Sequence, residues 1–203
     1  MPSGATSSLL FAQSEGIATS DFDHGTVFYP QFHDPFWTEL RTYGYEFDVT
    51  LLDPRTGLST NVPGAATVFS WVSMTPAPTG PIAPVVGPPS APMLNGNDAF
   101  APQTGVGDQP EFSWSSPKLG VATSYQISIR SLGPNHGGDT VFLSATVYTG
   151  ASFKVPPGFL KPDVAYYAVI TAQQAPWDVL NHGPFRTGTP LHTADCVTGI
   201  FVP

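Results

Sequence analysis

The run Leu160–Ala172, Leu-Lys-Pro-Asp-Val-Ala-Tyr-Tyr-Ala-Val-Ile-Thr-Ala, constrains the fold of this chain more than any other segment. A turn containing Pro162 is followed at once by a stretch in which every second residue from Tyr166 is apolar or aromatic. Successive side chains of a strand point to opposite faces, so this alternation predicts a half-buried β-strand that opens with a tyrosine. In β-sandwiches such a tyrosine lies at a corner, with its ring in the core and its hydroxyl bonded to backbone a few residues upstream. The pattern specifies a fold better than a chemistry.

Composition favours an all-β protein and excludes several classes of function. The chain of 203 residues contains 23 prolines and 20 glycines, which suits short strands joined by turns and disfavours long helices. Its net charge is −8, and its few basic residues are spread thinly, so we expect no nucleic-acid partner and no attraction to anionic membranes. No apolar run approaches the roughly 20 residues of a membrane-spanning helix, so we expect no membrane insertion. Low charge with abundant Ser, Thr, Asn and Gln is typical of secreted or cell-surface β proteins.

A proline-rich segment divides the sequence. Residues 75–92 contain seven prolines and no charged residue, which predicts an extended, semi-rigid spacer. We therefore predict a divergent or truncated sandwich-like module over residues 1–75, a linker over 76–91 and a second module over 92–203. The start of the chain lacks the basic region and long apolar core of a secretory signal, so the protein is either cytosolic or an excised or mature piece of a longer one. We favour the piece, because the composition is typical of exported proteins and the first half resembles an incomplete module.

The second module has a strand pattern that resembles a known family. Its alternating segments are Phe112-x-Trp114, Tyr125-x-Ile127-x-Ile129 and the run from Leu160 through Tyr166, with a last strand expected within Ala194–Val202. In this order they resemble the fibronectin type III domain over about residues 88–175. The resemblance implies an all-β immunoglobulin-like sandwich in which four residues belong to the core: Trp114, Tyr125, Leu160 and Tyr166. The family serves many functions, so the resemblance implies no particular ligand.

The first module looks like a weaker version of the same pattern. Residues 43–51 alternate like a tyrosine-bearing strand, Asp53–Gly57 predicts a turn, and residues 66–72 predict a following strand. What precedes Tyr43 is too short for the five strands that normally come first. Residues 1–75 are therefore either a divergent sandwich, giving two sandwiches in tandem, or a hairpin-rich extension packed on the second module.

The sequence offers little support for catalysis or metal binding. It has no Gly-x-Ser-x-Gly elbow, phosphate-binding glycine loop, His-Glu-x-x-His or Cys-x-x-Cys, so we predict that it is not an enzyme and uses no cofactor. Two groups could in principle bind a metal, but we interpret both as structural: Asp21, Asp23 and His24 with His33 and Asp34, and His192 with Asp195 and Cys196. Asp195 and Cys196 are neighbours on a predicted strand and would point to opposite faces. The lone cysteine excludes an intramolecular disulfide, and we expect Cys196 to be buried.

Two tryptophans are the candidate ligand-binding residues. Trp37 lies in an aromatic, proline-containing segment, and Trp177 lies in the long segment after the tyrosine strand. Loop aromatics can stack on sugars or anchor a protein partner, although packing in a core is the simpler interpretation of each.

Three functions are compatible with these features. The first is a non-catalytic interaction or spacer module of a secreted or surface protein, with a protein or polysaccharide partner at the cell surface. The second is a carbohydrate-binding accessory module of a secreted enzyme, which requires exposed aromatics such as Trp177 or Trp37. The third is a self-assembling filament or surface-layer subunit, a homo-oligomer in which copies complete one another with donated strands.

Overall fold

A computed structural model describes residues 40–71, 82–132, 139–147, 149–175 and 191–203. All of them belong to one compact unit, Glu39–Pro203. The described residues form two β-sheets, of eight and four strands, and include no helix. This confirms the all-β prediction and the sandwich-like arrangement.

Twelve strands make up the described part of the fold. In chain order they are β1 (Leu40–Leu52), β2 (Ser59–Trp71), β3 (Ser90–Leu94), β4 (Asn97–Asp98), β5 (Gln103–Thr104), β6 (Glu111–Ser115), β7 (Ser124–Leu132), β8 (Asp139–Val147), β9 (Ser152–Lys154), β10 (Tyr166–Gln174), β11 (Leu191–Val197) and β12 (Phe201–Val202).

The small sheet has the order β4-β3-β6-β9. The large sheet runs β1-β2-β11-β10-β12-β5, and β7 joins it by pairing with both β10 and β8. Neighbouring strands are antiparallel, except that β12 pairs in parallel with β5. β10 is the centre of the large sheet, with β7 on one side and β11 and β12 on the other.

The main core lies between the two sheets. It combines Leu94, Phe112 and Trp114 from the small sheet with alternate residues of β7 and β10 from the large sheet. Phe112 and Phe201 meet edge to face with ring centroids 5.5 Å apart. Apolar positions spaced two apart on strands of both sheets therefore meet in one interior, as the sequence pattern predicted.

A second apolar cluster lies on the opposite face of the large sheet. Here β10 contributes Tyr167 and Val169, and the β1–β2 hairpin contributes Leu51 and Val62. The prediction that β10 is half-buried was therefore wrong, because both of its faces are covered. Sequence alternation on β10 identifies the inward face but gives no sign that a distant hairpin covers the other one.

The β1–β2 hairpin is the main addition to a simple sandwich. Its strands are 13 residues each and pair in continuous register from Leu40 opposite Trp71 to Leu52 opposite Ser59. The predicted turn at Asp53–Gly57 is confirmed, with the Gly57 amide donating to the Asp53 carbonyl over 2.9 Å. β2 also pairs with β11, from Ala66 opposite Ala194 to Phe69 opposite Leu191. The hairpin thus extends the large sheet, while the division of residues 1–75 from the rest stays a prediction.

Candidate functional site

The four predicted core residues all lie inside the sandwich. Trp114 and Tyr125 are buried and meet edge to face with ring centroids 5.3 Å apart. Leu160 and Tyr166 are buried as well, and the Tyr166 ring stacks on Phe201 at 5.9 Å. The Tyr166 hydroxyl accepts a hydrogen bond of 3.0 Å from the Lys161 amide, which holds the preceding turn against the start of β10. None of these side chains faces solvent in a way that would serve a ligand.

The two candidate ligand-binding tryptophans, Trp37 and Trp177, lie outside the described residues. So do the aspartates and histidines of the first candidate metal group, residues 21–34. Among the residues that are described, no three His, Cys, Asp or Glu side chains form a group that could hold a metal ion.

The second candidate metal group is used to hold strands together. Asp195 accepts a 2.6 Å hydrogen bond from the Thr171 hydroxyl on β10 and a 3.0 Å bond from the Ala65 amide on β2. This carboxylate therefore links three strands of the large sheet. Burial lowers the pKa of His192, whose Nδ1 has no hydrogen-bond partner among the described residues.

Cys196 is buried, as predicted. Burial, with a smaller contribution from the negative charge of Asp195, raises the pKa of its thiol to about 11. The thiol is therefore neutral near pH 7, whereas nucleophilic and metal-binding cysteines react as thiolates. This environment supports a packing role for Cys196.

An ion pair at the tip of the hairpin was not foreseen from the sequence. The Asp53 carboxylate is fully buried, and it accepts from Arg55 Nη2 at 2.9 Å, from Arg55 Nε at 3.1 Å and from the Arg55 amide at 2.8 Å. The hydrogen bond to Asp53 is the main reason that the pKa of Arg55 is raised. Both ends of the carboxylate are satisfied, as a buried charge requires.

The same arginine attaches the hairpin to the turn before β10. Arg55 Nη1 donates to the backbone carbonyl of Asp163. That carbonyl belongs to the turn Lys161–Val164, in which Pro162 precedes Asp163 at a positive φ of 60°, the arrangement of a type II turn. The turn that positions Tyr166 therefore also receives the tip of the hairpin.

A second surface feature is an apolar patch at one end of the sandwich, formed by Val85, Leu119 and Val121, which we call the loop patch. These side chains are 37%, 51% and 73% exposed, respectively. The Gly87 amide donates to the Leu119 carbonyl over 2.9 Å, so the two segments run side by side. A Cβ on Gly120 would lie 2.3 Å from the Val85 carbonyl oxygen, which explains a glycine at this close approach.

The loop patch is held firmly by the end of β10. The Thr123 amide donates to the Gln173 carbonyl over 2.8 Å, and the Ala175 amide donates to the Thr123 hydroxyl over 3.1 Å. The sequence signal that could have identified this patch is a pair of apolar residues in a loop. They lie in the segment Lys118-Leu-Gly-Val-Ala122, between two predicted strands.

Comparison with models of known protein families gave no match. A search of curated proteins also gave no match. Within the described residues, no helix is long and apolar enough to span a membrane.

Proposed function

We propose that this chain is a non-catalytic interaction and spacer module of a secreted or cell-surface protein, built on a fibronectin type III-like sandwich. The loop patch is the observation that carries the proposal. Leu119 and Val121 are apolar, exposed and fixed to a rigid framework, which is how sandwich domains present binding residues. The partner that best suits such a surface is a protein with a complementary apolar contact.

Strand connectivity supports the family assignment. Counted from β3 and setting aside the two-residue strands, the first, second and fifth strands share the small sheet. The third, fourth, sixth and seventh strands, β7, β8, β10 and β11, share the large sheet. Immunoglobulin-like sandwiches divide their strands in this way, and the bond from the Lys161 amide to the Tyr166 hydroxyl has the geometry of their tyrosine corner. For residues 40–71, the pairing of β2 with β11 supports the alternative of a hairpin-rich extension packed on this sandwich.

The chemistry of the described polar groups supports a non-catalytic role. Asp53, Asp195 and the Tyr166 hydroxyl all bond to groups that hold the fold together. A catalytic group must instead present its polar atoms to a substrate.

The proposal can be tested by photocrosslinking in the full-length protein of which this chain would be a module, produced in the organism that encodes it. A benzophenone amino acid replaces Val121, and the matched control carries it at Thr146, an exposed position on β8. We expect the label at position 121 to give one defined protein adduct. Excess unlabelled chain should compete the adduct away, and the variant Leu119→Ser/Val121→Ser should not. Equal adducts from positions 121 and 146, or none from 121, would overturn the proposal.

A titration separates a protein partner from a polysaccharide. We expect soluble xylan, glucan and chitin oligosaccharides to leave the tryptophan fluorescence of the chain unchanged. Saturable quenching that is lost in Trp177→Ala would replace this proposal with a carbohydrate-binding module.

A further inference from the structure

The strand β1 forms one edge of the large sheet. Among the described strands it pairs only with β2, in unbroken register over 13 residues, where strands of about five or six residues are usual. The other strands with one described neighbour are only two or three residues long, as in β4, β5 and β9, or have an irregular register, as in β8. Proline, lysine or a bulge commonly protects an edge strand, and β1 contains none of these. Of the described edges, β1 is therefore the one best suited to pair with a further strand.

The backbone groups of Glu46 point away from β2. Glu46 lies opposite Ala65, and the Ala65 amide donates to the Asp195 carboxylate of β11, on the other side of β2. Opposed residues of an antiparallel pair exchange either both hydrogen bonds or none, so Glu46 and Ala65 exchange none. Asp48 lies opposite Pro63, which has no amide hydrogen to donate. The amides and carbonyls of Glu46, Asp48 and the alternate residues of β1 therefore face the open side of the strand.

The side chains at this part of β1 define the chemistry of a partner strand. Glu46 and Asp48 are exposed on one face, opposite the uncharged Ala65 and Pro63. Neither carboxylate forms an ion pair within the described part of the chain. Phe47 lies between them, points to the other face and is 38% exposed. An added strand would meet two negative charges on one face and an aromatic ring on the other.

This chain does not contain a matching strand. A second copy of β1 paired around the same residues would place carboxylate opposite carboxylate, which is destabilising. A match requires two basic residues separated by one position, because side chains on one face of a strand are two residues apart. No two of the seven basic residues have this spacing: Arg41, Arg55, Lys118, Arg130, Lys154, Lys161 and Arg186. The occupant must therefore come from a different protein.

We propose that the free edge of β1 binds an extended segment of a different protein in which two basic residues flank an apolar one. The basic side chains lie opposite Glu46 and Asp48, the apolar side chain covers Phe47, and main-chain hydrogen bonds extend the large sheet. In strand addition the backbone ladder provides affinity and alternate side chains provide specificity. The net charge of −8 also favours encounter with a basic partner. This edge does not depend on the loop patch and adds a second binding surface to the proposed function.

A short peptide tests the charge pattern of this edge. Fluorescein-labelled acetyl-Thr-Val-Lys-Val-Lys-Val-Thr-amide is titrated with the full chain, and anisotropy measures binding. We expect saturable binding that weakens at least tenfold in Glu46→Lys/Asp48→Lys, because both cross-strand pairs change from attraction to repulsion. The matched control Asp108→Lys/Glu111→Lys changes the net charge equally at exposed positions outside the hairpin, and it should bind like the wild-type chain. Equal affinities of the two double variants, or no saturation by about 1 mM wild-type chain, would overturn the proposal.

A second peptide tests the backbone pairing on the wild-type chain. N-methylation of both lysine amides keeps the charges but removes the donors that face β1, and we expect it to weaken binding at least tenfold. Hydrogen exchange should show that the unmethylated peptide slows exchange of the Gly44, Glu46 and Asp48 amides. The Tyr45 and Phe47 amides already face β2 and should not change. Equal affinities of the two peptides, or unchanged exchange at Glu46 and Asp48, would overturn the proposal.

Discussion

At the scale of single residues, three polar side chains, Asp195, Tyr166 and Asp53, hold parts of the fold together. Asp195 links β2, β10 and β11 through two hydrogen bonds, and Tyr166 fixes the turn that precedes its own strand. Asp53 is buried with its charge satisfied by Arg55. These residues have the chemistry of catalytic groups, but their partners determine a structural role.

The reactivity of Cys196 should reflect its burial. Because the pKa of the thiol is raised to about 11, it is almost wholly neutral at pH 7.5 and shielded from reagents. We expect iodoacetamide to label the native protein at least tenfold more slowly than the urea-unfolded protein. Labelling followed by mass spectrometry measures both rates, and equal rates would contradict the buried position.

The hydroxyl of Tyr166 should contribute measurable stability. Tyr166→Phe removes the bond from the Lys161 amide while keeping the ring, and we expect it to lower the free energy of unfolding by about 1 kcal/mol. Tyr125→Phe is the matched control, since the Tyr125 hydroxyl has no hydrogen-bond partner among the described residues. Urea unfolding measures both changes. An equal loss of unfolding free energy in Tyr166→Phe and Tyr125→Phe would contradict a stabilising role for the hydrogen bond between the Lys161 amide and the Tyr166 hydroxyl.

At the scale of elements, the hairpin decides how much of the large sheet is buried. Burying Leu51 and Val62 contributes about 1.5–3 kcal/mol each by removing apolar surface from water.

Pro63 and Gly64 lie in β2 between Val62 and the segment paired with β11. The Phe47 ring occupies the space that a Cβ on Gly64 would fill, at 2.5 Å from its nearest ring atom, so the glycine and the aromatic ring pack as a pair.

Removing Arg55 should loosen the hairpin. Arg55→Ala leaves the buried Asp53 carboxylate without its guanidinium and removes the bond to the Asp163 carbonyl, so we expect a loss of about 1–3 kcal/mol. Hydrogen exchange of the β1 and β2 amides measures this loss of stability. Lys154→Ala, on β9 of the small sheet, should change protection by less than about 0.5 kcal/mol. Equal effects of the two substitutions would show that the ion pair does not hold the hairpin.

Mild acid should weaken the pairing of β2 with β11. His192 lies opposite Val68, and burial lowers its pKa below the unfolded value of 6.5. The unfolded chain therefore binds the proton more readily than the folded one, so stability present above pH 6.5 is lost as the pH falls from 6.5 through the lower folded pKa. Urea unfolding at several pH values should show that acid lowers the free energy of unfolding less in His192→Gln than in the wild-type protein. Identical pH profiles for the two proteins would contradict this assignment.

At the scale of the whole molecule, the hairpin and the sandwich share one sheet and one apolar cluster. Cutting the chain between them should therefore leave them associated. With a specific protease site inserted between Thr79 and Gly80, we expect the two fragments to co-elute in gel filtration after cleavage. The same experiment with Arg55→Ala should release a larger share of the hairpin fragment. Complete separation of the wild-type fragments would show that docking depends on the covalent connection.

Local sequence patterns were sufficient to predict several elements of this fold. Alternation in β6, β7 and β10 predicted the strands and their inward faces, and Asp53–Gly57 predicted the hairpin turn, because side-chain period and turn chemistry are local properties. The tertiary structure alone decided that Tyr167 and Val169 are covered, that Arg55 reaches Asp163, and that Val85 lies beside Leu119. Each of these contacts joins residues that are far apart in the chain. The local strand or turn propensity of a residue carries no information about which distant residue it will contact.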